Sequence, residues 1–287
     1  MLERIGGVAV ARTPAQVRAW SQEVRAAGKR IALVPTMGAL HAGHMTLVDT
    51  ARAHAEAVIV SIFVNPMQFG PKEDFSAYPR PFADDCARCA HQGVDLVYAP
   101  TPETMYPRGF QSHVEVEQLT QGLCGAARPA HFRGVTTVVL KLLNIALADV
   151  AVFGEKDYQQ LQALKRMALD LDHPTRILGA PIAREPDGLA MSSRNVYLTA
   201  DERQAALVIV RSLRAAQAQV RAGERDVPQL IATLAAAMTK AGGRVDYAQI
   251  VDPQSLQPLE TLDRPARVIV ATWFGRARLL DNMDLLP

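Results

Sequence analysis

The chain has 287 residues, 49% hydrophobic and 21% charged, with 31 Lys and Arg against 29 Asp and Glu, a net charge of +2. That length and apolar content allow one large domain, or one of ordinary size beside a smaller one, each around a real core. The near-neutral balance gives no basic face or tail for nucleic acid. Three cysteines (Cys86, Cys89 and Cys124) make no secreted disulfide framework, and the N-terminus has no apolar signal core.

The longest apolar tract, 135–153, is interrupted by Lys141, Asn144 and Asp149, which argues against a membrane span. A cytoplasmic protein is expected, with neither nucleic acid nor membrane as partner. From residue 30 onward, short β-rich runs alternate with helical patterns. Strands are expected at 30–35, 57–64, 94–99, 149–154 and 175–179, and helices at 43–55, 82–92, 135–148 and 157–170. Several strands are apolar throughout, as in a parallel sheet covered on both faces. The βαβα order predicts an α/β fold, a Rossmann-like doubly wound parallel sheet with ligands beyond the carboxyl ends of its strands. After residue 182 two amphipathic helices (199–223 and 226–243) precede three strands at 245–252, 266–274 and 277–285. The expected division is a domain of 1–182 and a smaller C-terminal α+β domain of 183–287.

The segment "PTMGALHAGH" (35–44) lies between a strand and a helix. Unpaired N–H groups and the positive end of the helix dipole make that place attractive to phosphate. Gly38 and Gly43 let backbone approach a ligand, and His41 and His44 could donate hydrogen bonds to a developing charge. With 7 His and 18 Gly in 287 residues, an HxGH arises by chance in about one such chain in a hundred. A zinc site would need a third ligand at suitable spacing, and HExxH is absent.

Further along, "FVNPMQFGPKEDFSAYPR" (63–80) offers the amides of Asn65 and Gln68 beside apolar Met67 and Phe69, at another strand end. "RPAHFRGV" (128–135) sets Arg128, His131 and Arg133 just before an expected helix. In "GEKDYQQ" (154–160), Lys156 is suited to clamp phosphate, and Asp157 and Gln160 to bind a polar substrate, Asp157 also being a plausible helix N-cap. "MSSRN" (191–195) brings two hydroxyls and an arginine that could close over a triphosphate. The CxxC of Cys86 and Cys89 lacks a second ligand pair and does not open its helix, so it reads as structural or incidental. Asp84 and Asp85 are candidate Mg²⁺ or substrate contacts, or simply acids at a helix start.

Taken together and in order, "PTMGALHAGH", "FVNPMQF", "YPR", "HFRGVTTVV", "FGEKDYQQ" and "MSSRN" closely resemble the pantothenate synthetase (pantoate–β-alanine ligase) family, within the wider HxGH nucleotidyltransferase and class I aminoacyl-tRNA synthetase group. The resemblance covers nearly the whole chain, including "DYAQIVD" (246–252). It implies ATP-dependent condensation of pantoate with β-alanine through a pantoyl adenylate, releasing pyrophosphate and then AMP. ATP would be a substrate, Mg²⁺ a cofactor, and the protein a homodimer. His41, His44, Lys156 and Arg194 would be catalytic. Pro35, Thr36, Met37, Gly38, Gly43, Gly154, Asp157, Met191, Ser192 and Ser193 would join those four in binding ATP. Gln68, Gln160, Met37, Asn65, Arg128 and His131 would bind pantoate, Arg128 and His131 lying in a loop that covers the site, and Asp84 would lie near Mg²⁺. The smaller domain would close over the site, with Ser192–Arg194 as its mobile KMSKS-like loop. No residue stands out as general base toward β-alanine.

Two competing readings remain. Another adenylating or nucleotidyl-transferring enzyme of the same group would share HxGH, but would have no reason to carry "FVNPMQF" together with "HFRGVTTVV". An RNA-binding fragment of a tRNA synthetase would lack a recognisable anticodon domain here and is disfavoured by the charge balance.

Overall fold

A computed structural model of the protein describes residues 2–71, 73 and 75–286. They fall into two units. One comprises residues up to Gln118 with Arg128–Glu155 and Gln160–Pro181; the other takes Leu119–Ala127, Lys156–Gln159 and the chain from Ile182 onward.

The first unit begins with three elements beyond those expected from the sequence. Strands β1 (Glu3–Ile5) and β2 (Val8–Ala11) are joined by Gly6 and Gly7, whose φ values of +57° and +96° supply the left-handed pair of a tight hairpin turn. Helix α1 (Pro14–Ala26) starts with a reciprocal capping box between Thr13 and Gln16 and with Pro14 in its first turn. The expected alternation follows: β3 (Ile31–Thr36), α2 (Ala42–Arg52), β4 (Ala57–Ile62), α3 (Phe82–His91), β5 (Leu96–Tyr98) and the single turn α4 (Pro102–Met105). Helix α5 (Leu123–Ala127) belongs to the second unit. Then come α6 (His131–Ala146), β6 (Val150–Gly154), α7 (Tyr158–Asp170) and β7 (Arg176–Ala180). Helix α6 starts at His131, not at 135, so His131 and Arg133 lie in its first turn and not ahead of it.

Seven strands form one sheet in the order β1-β2-β5-β4-β3-β6-β7, all parallel except the β1–β2 edge pair. Side chains alternate between its faces. Ile31 and Leu33 pack in one cluster with Val17 of α1, Leu142 of α6 and Leu164 of α7; Ala32 and Val34 pack in another with Val48 of α2 and Cys86 and Cys89 of α3. From β3 the strand order runs through β4 and β5 in one direction and through β6 and β7 in the other. The reversal therefore lies between β3 and β6, where a doubly wound sheet opens a ligand crevice.

In the second unit the first expected helix is divided into α8 (Ala200–Ala206) and α9 (Val208–Arg221), with Thr199 and Glu202 capping α8. Helix α10 (Val227–Lys240) starts at the Asp226 cap. Strands β8 (Arg244–Val251), β9 (Ala266–Phe274) and β10 (Ala277–Leu286) form an antiparallel sheet with β9 at its centre. Leu213 of α9, Leu234 and Met238 of α10, and Val268 and Val270 of β9 share its core.

Candidate active site

The carboxyl end of β3 builds the first wall. Ile31 carbonyl accepts from Asp149 N–H and Thr36 carbonyl from Phe63 N–H, so by alternation Pro35 faces the β6 side. The β3–β6 ladder ends at Leu33↔Ala151, so the N–H that proline lacks is not needed there. Thr36 hydroxyl donates to Ser61 carbonyl at 2.7 Å and accepts from Gly38 N–H at 3.2 Å. Gly38 (φ +84°) and Ala39 (φ +51°) both take the left-handed conformation. At Gly38 a Cβ would sit 3.0 Å from both Ile62 and the Asp85 carboxylate, which requires glycine there.

Asp85, 1% exposed, holds this turn from α3. Its two oxygens accept from Ala39 N–H at 2.9 Å and Leu40 N–H at 2.7 Å. Burial pushes its carboxyl above the ordinary value, against the opposing pull of those two bonds. It therefore serves the loop's backbone, while its neighbour Asp84 is exposed.

The turn delivers His41 to the N-cap of α2. His41 Nδ1 accepts from Gly43 N–H at 3.1 Å, and His44 Nδ1 accepts from His41 N–H at 3.2 Å, a capping box built from two imidazoles. The ring centroids are 4.1 Å apart. A backbone N–H can only donate, so both Nδ1 atoms are acceptors and each neutral ring carries its proton on Nε2. The motif thus supplies two Nε2–H donors at a helix N-terminus. Gly43 has a second reason for its position as the donor to His41.

The loop after β4 provides the second wall. Asn65, 1% exposed, starts a 3-10 turn (Pro66–Gln68). Its Nδ2 donates to Gln68 Oε1 at 3.0 Å and Gly134 carbonyl at 3.1 Å, while Oδ1 accepts from Met67 N–H at 3.3 Å and Tyr106 hydroxyl at 2.8 Å. All four hydrogen-bonding positions of the amide are used, and one of them holds Gln68 from behind. Gln68 Nε2 meets Met37 Sδ at 3.2 Å, joining this loop to the one after β3.

Arg128 and His131 are likewise committed. Arg128 pairs with both oxygens of Glu73 at 2.7 and 2.6 Å. Burial alone would raise the Glu73 carboxyl, but the hydrogen bonds and charge of Arg128 prevail and hold it below its ordinary value. Arg128 also donates to Gln68 carbonyl at 3.2 Å and faces His131 Nε2 at 3.0 Å. The guanidinium is the donor there, so His131 carries its proton on Nδ1, which donates to Gln68 carbonyl at 2.8 Å. The guanidinium and the neutral imidazole together fix the loop that carries Gln68. Of that loop, Lys72 and Asp74 lie outside the described residues.

Gly134 was not among the expected site residues. A Cβ there would overlap the Met67 carbonyl and come within 2.7 Å of Gln68 N, so glycine allows α6 to seat the 3-10 turn. An isolated glycine inside the apolar helical run "HFRGVTTVV" was the signal for such an approach. Gln160 lies half-buried in the first turn of α7 and has no side-chain hydrogen bond among the described residues.

Beyond Gly154 at the end of β6, a 3-10 turn (Glu155–Asp157) carries Lys156, whose Nζ is 3.9 Å from Asp157 Oδ2. Gln159 bonds within the same unit to Leu119 and Gly122 carbonyls and to Cys124 N–H. Farther along, Met191 N–H donates to Ala183 carbonyl at 2.9 Å. Ser192 then caps the 3-10 segment Ser193–Tyr197, its hydroxyl accepting from Arg194 N–H at 3.2 Å.

Cys86 and Cys89 are fully buried on α3, and burial pushes their thiols up to about 11 and about 12. That is the opposite of an activated redox pair. Among the described residues no three His, Cys, Asp or Glu side chains gather as a metal site.

A family model described as pantoate-beta-alanine ligase matches residues 9–284 of this chain. The pantothenate synthetase of Myxococcus xanthus (strain DK1622) is 52% identical over 280 residues, covering 96% of each chain. That of Heliobacterium modesticaldum (strain ATCC 51547 / Ice1) is 51% identical over 269 residues, 93% of this chain and 96% of the relative. The crystal structure of pantothenate synthetase from Thermus thermophilus superposes with a TM-score of 0.91 at 44% identity, covering 97% of this chain and 99% of that one. A pantoate-beta-alanine ligase from Francisella tularensis, complexed with beta-gamma ATP and beta-alanine, gives 0.82 at 33% identity over 97% and 98% of the two chains.

Proposed function

We propose how the site works on the premise that the chain belongs to the pantoate-beta-alanine ligase family, and is an enzyme that joins pantoate to β-alanine to form pantothenate. ATP is the co-substrate. In the first half-reaction a pantoate carboxylate oxygen attacks the α-phosphorus and pyrophosphate leaves. In the second, the β-alanine amine attacks the acyl carbon of pantoyl adenylate, its proton is lost, and AMP leaves as the amide forms. Attack by one anion on another needs charge neutralisation and alignment more than it needs a protein nucleophile.

The observation that carries this assignment is the imidazole capping box. Because Nδ1 of His41 and His44 is spent on backbone N–H groups, Nε2–H is the donor that each ring offers to phosphate oxygens. Lys156, Ser192, Ser193 and Arg194 hold the β- and γ-phosphates. Pro35, Thr36, Met37, Gly38 and Gly43 line the nucleotide at the end of β3, with Gly154, Asp157 and Met191 as its other contacts. Gln68 and Gln160 take the pantoate hydroxyls and carboxylate against Met37. Asn65, Arg128 and His131 keep Gln68 in place and touch no substrate.

The described residues do not fit a resident metal ion, and Mg²⁺ enters this reading only as the counter-ion of ATP, with exposed Asp84 as the carboxylate that meets it. The protein works in the cytoplasm as a homodimer. No described helix is long and apolar enough to cross a membrane.

AMP and pyrophosphate are measured from ATP with pantoate, with and without β-alanine. Pyrophosphate should form with pantoate alone, to about one equivalent of enzyme, and AMP release should require both acids. Turnover indifferent to pantoate would overturn the assignment.

A further inference from the structure

We propose that Asp281 and Asn282, adjacent residues of β10, are positioning residues for the triphosphate of ATP, each fixing one of the two segments that hold the phosphates. The inference rests on the assignment of Lys156 and of Ser192–Arg194 to those phosphates.

Asn282 is 2% exposed. Its Nδ2 donates to Lys156 carbonyl at 3.0 Å, and its Oδ1 accepts from Arg267 Nη1 at 2.9 Å. Arg267, 7% exposed, donates through Nε and Nη2 to the two oxygens of Asp284 at 2.7 and 2.9 Å. Its guanidinium also lies 3.8 Å over the Tyr158 ring, and Tyr158 hydroxyl donates to Pro253 carbonyl at 3.0 Å. Residues 156 and 158 are therefore held on the same side of the small sheet. The main chain from which the Lys156 side chain projects is fixed by one buried amide.

Asp281, 3% exposed, serves the other segment. Its carboxylate accepts from Arg184 Nη1 and Nη2 at 2.7 and 2.9 Å, a two-point pairing, and also from Asn282 N–H at 2.8 Å. Arg184 donates in turn to Gly188 carbonyl at 3.1 Å and pairs across the turn with Ala190. The closed ribbon 183–191 leads directly into Ser192. Successive side chains leave a strand on opposite faces, so one dipeptide reaches both segments.

Stability alone gives a weak reason for such a pair, because well-packed apolar residues commonly match a buried ion pair. Apolar residues could not fix the register of two irregular segments on one strand, and a phosphate clamp depends on placement within a fraction of an ångström.

The test measures KM for ATP, KM for β-alanine, kcat and thermal midpoint in the full chain for Asn282→Asp, Asn282→Ala, Asp281→Asn and Lys156→Ala. Asn282→Asp keeps an oxygen for Arg267 but turns the other toward Lys156 carbonyl, so it removes the donor without emptying the site. If Asn282→Ala does not fold, this variant decides the matter. In Asn282→Asp and Asp281→Asn, KM for ATP should rise ~10-fold, in line with loss of one well-held hydrogen bond, while KM for β-alanine stays at the parental value. A parental KM for ATP in both, with Lys156→Ala impaired, overturns the positioning role. Equal rises in both KM values, tracking a lower thermal midpoint, also overturn it. Unchanged ATP kinetics in Lys156→Ala would instead overturn the phosphate assignment beneath it.

Discussion

At the scale of single residues, hydrogen-bond capacity separates ligand contacts from scaffold. His41 and His44 each spend one ring nitrogen on the start of α2 and carry the proton on the other; in the function proposed above, the rings that cap the helix are also the donors to the phosphates. His44→Ala loses a cap and a donor together. We expect the rate of pyrophosphate release with pantoate to fall by about 10²-fold or more, the cost of one preorganised donor to a developing charge. Folding stability should fall only modestly, by the ~1 kcal/mol typical of a lost cap, read as a small drop in the thermal midpoint. Near-normal pyrophosphate release from the folded variant would remove His44 from the chemistry. Asn65, Arg128 and His131 have the residue types of ligand contacts, and nothing in their local sequence discounts them. Their capacity goes to Gly134, Tyr106, Glu73 and the Gln68 backbone, partners that lie from 41 to 69 positions away. A similar limit applied to Asp85, which its position beside Asp84 presented as a metal or substrate contact and which in the fold accepts from Ala39 and Leu40.

Among the elements, α6 shows how local pattern and close packing interact. Its apolar stripe was legible, yet its start moved from 135 to His131 because the polar first turn is held by the Gln68 loop and not by any sequence signal for a cap. Gly134 sits in that turn against Met67 and Gln68. Gly134→Ala would gain ~1 kcal/mol of helix propensity, but steric overlap with a backbone carbonyl costs about 1–3 kcal/mol, so the variant should be net destabilised. Displacement of Gln68 should also raise KM for pantoate more than KM for ATP. Denaturation midpoints and the two KM values check this; a more stable variant with parental kinetics would show that the turn adapts freely. The β1–β2 hairpin and α1 were missed although Gly6–Gly7 and the Thr13–Gln16 box were present, because strands of three and four residues give too few alternations to stand out.

For the whole molecule, the family reading implies two copies of the chain. Light scattering in solution should give twice the 31.2 kDa of one chain, and a monomeric mass in an active preparation would contradict the homodimer. The sequence by itself determined the alternating α/β order, the Gly-containing turns at the ends of β3 and β6, and the set of motifs that identify the family. These follow from short-range rules: side-chain period, the conformational freedom of glycine, and the chemistry of a helix start. Tertiary structure alone decided the reversal of strand order between β3 and β6, the tautomer of His131, and the wiring of Lys156 and Arg184 to Asn282 and Asp281, 126 and 97 residues away. A strand's place in the sheet, and the saturation of a buried donor or acceptor, depend on partners brought together only by folding. A motif can therefore specify which chemistry is present before it can specify which of its residues face the substrate.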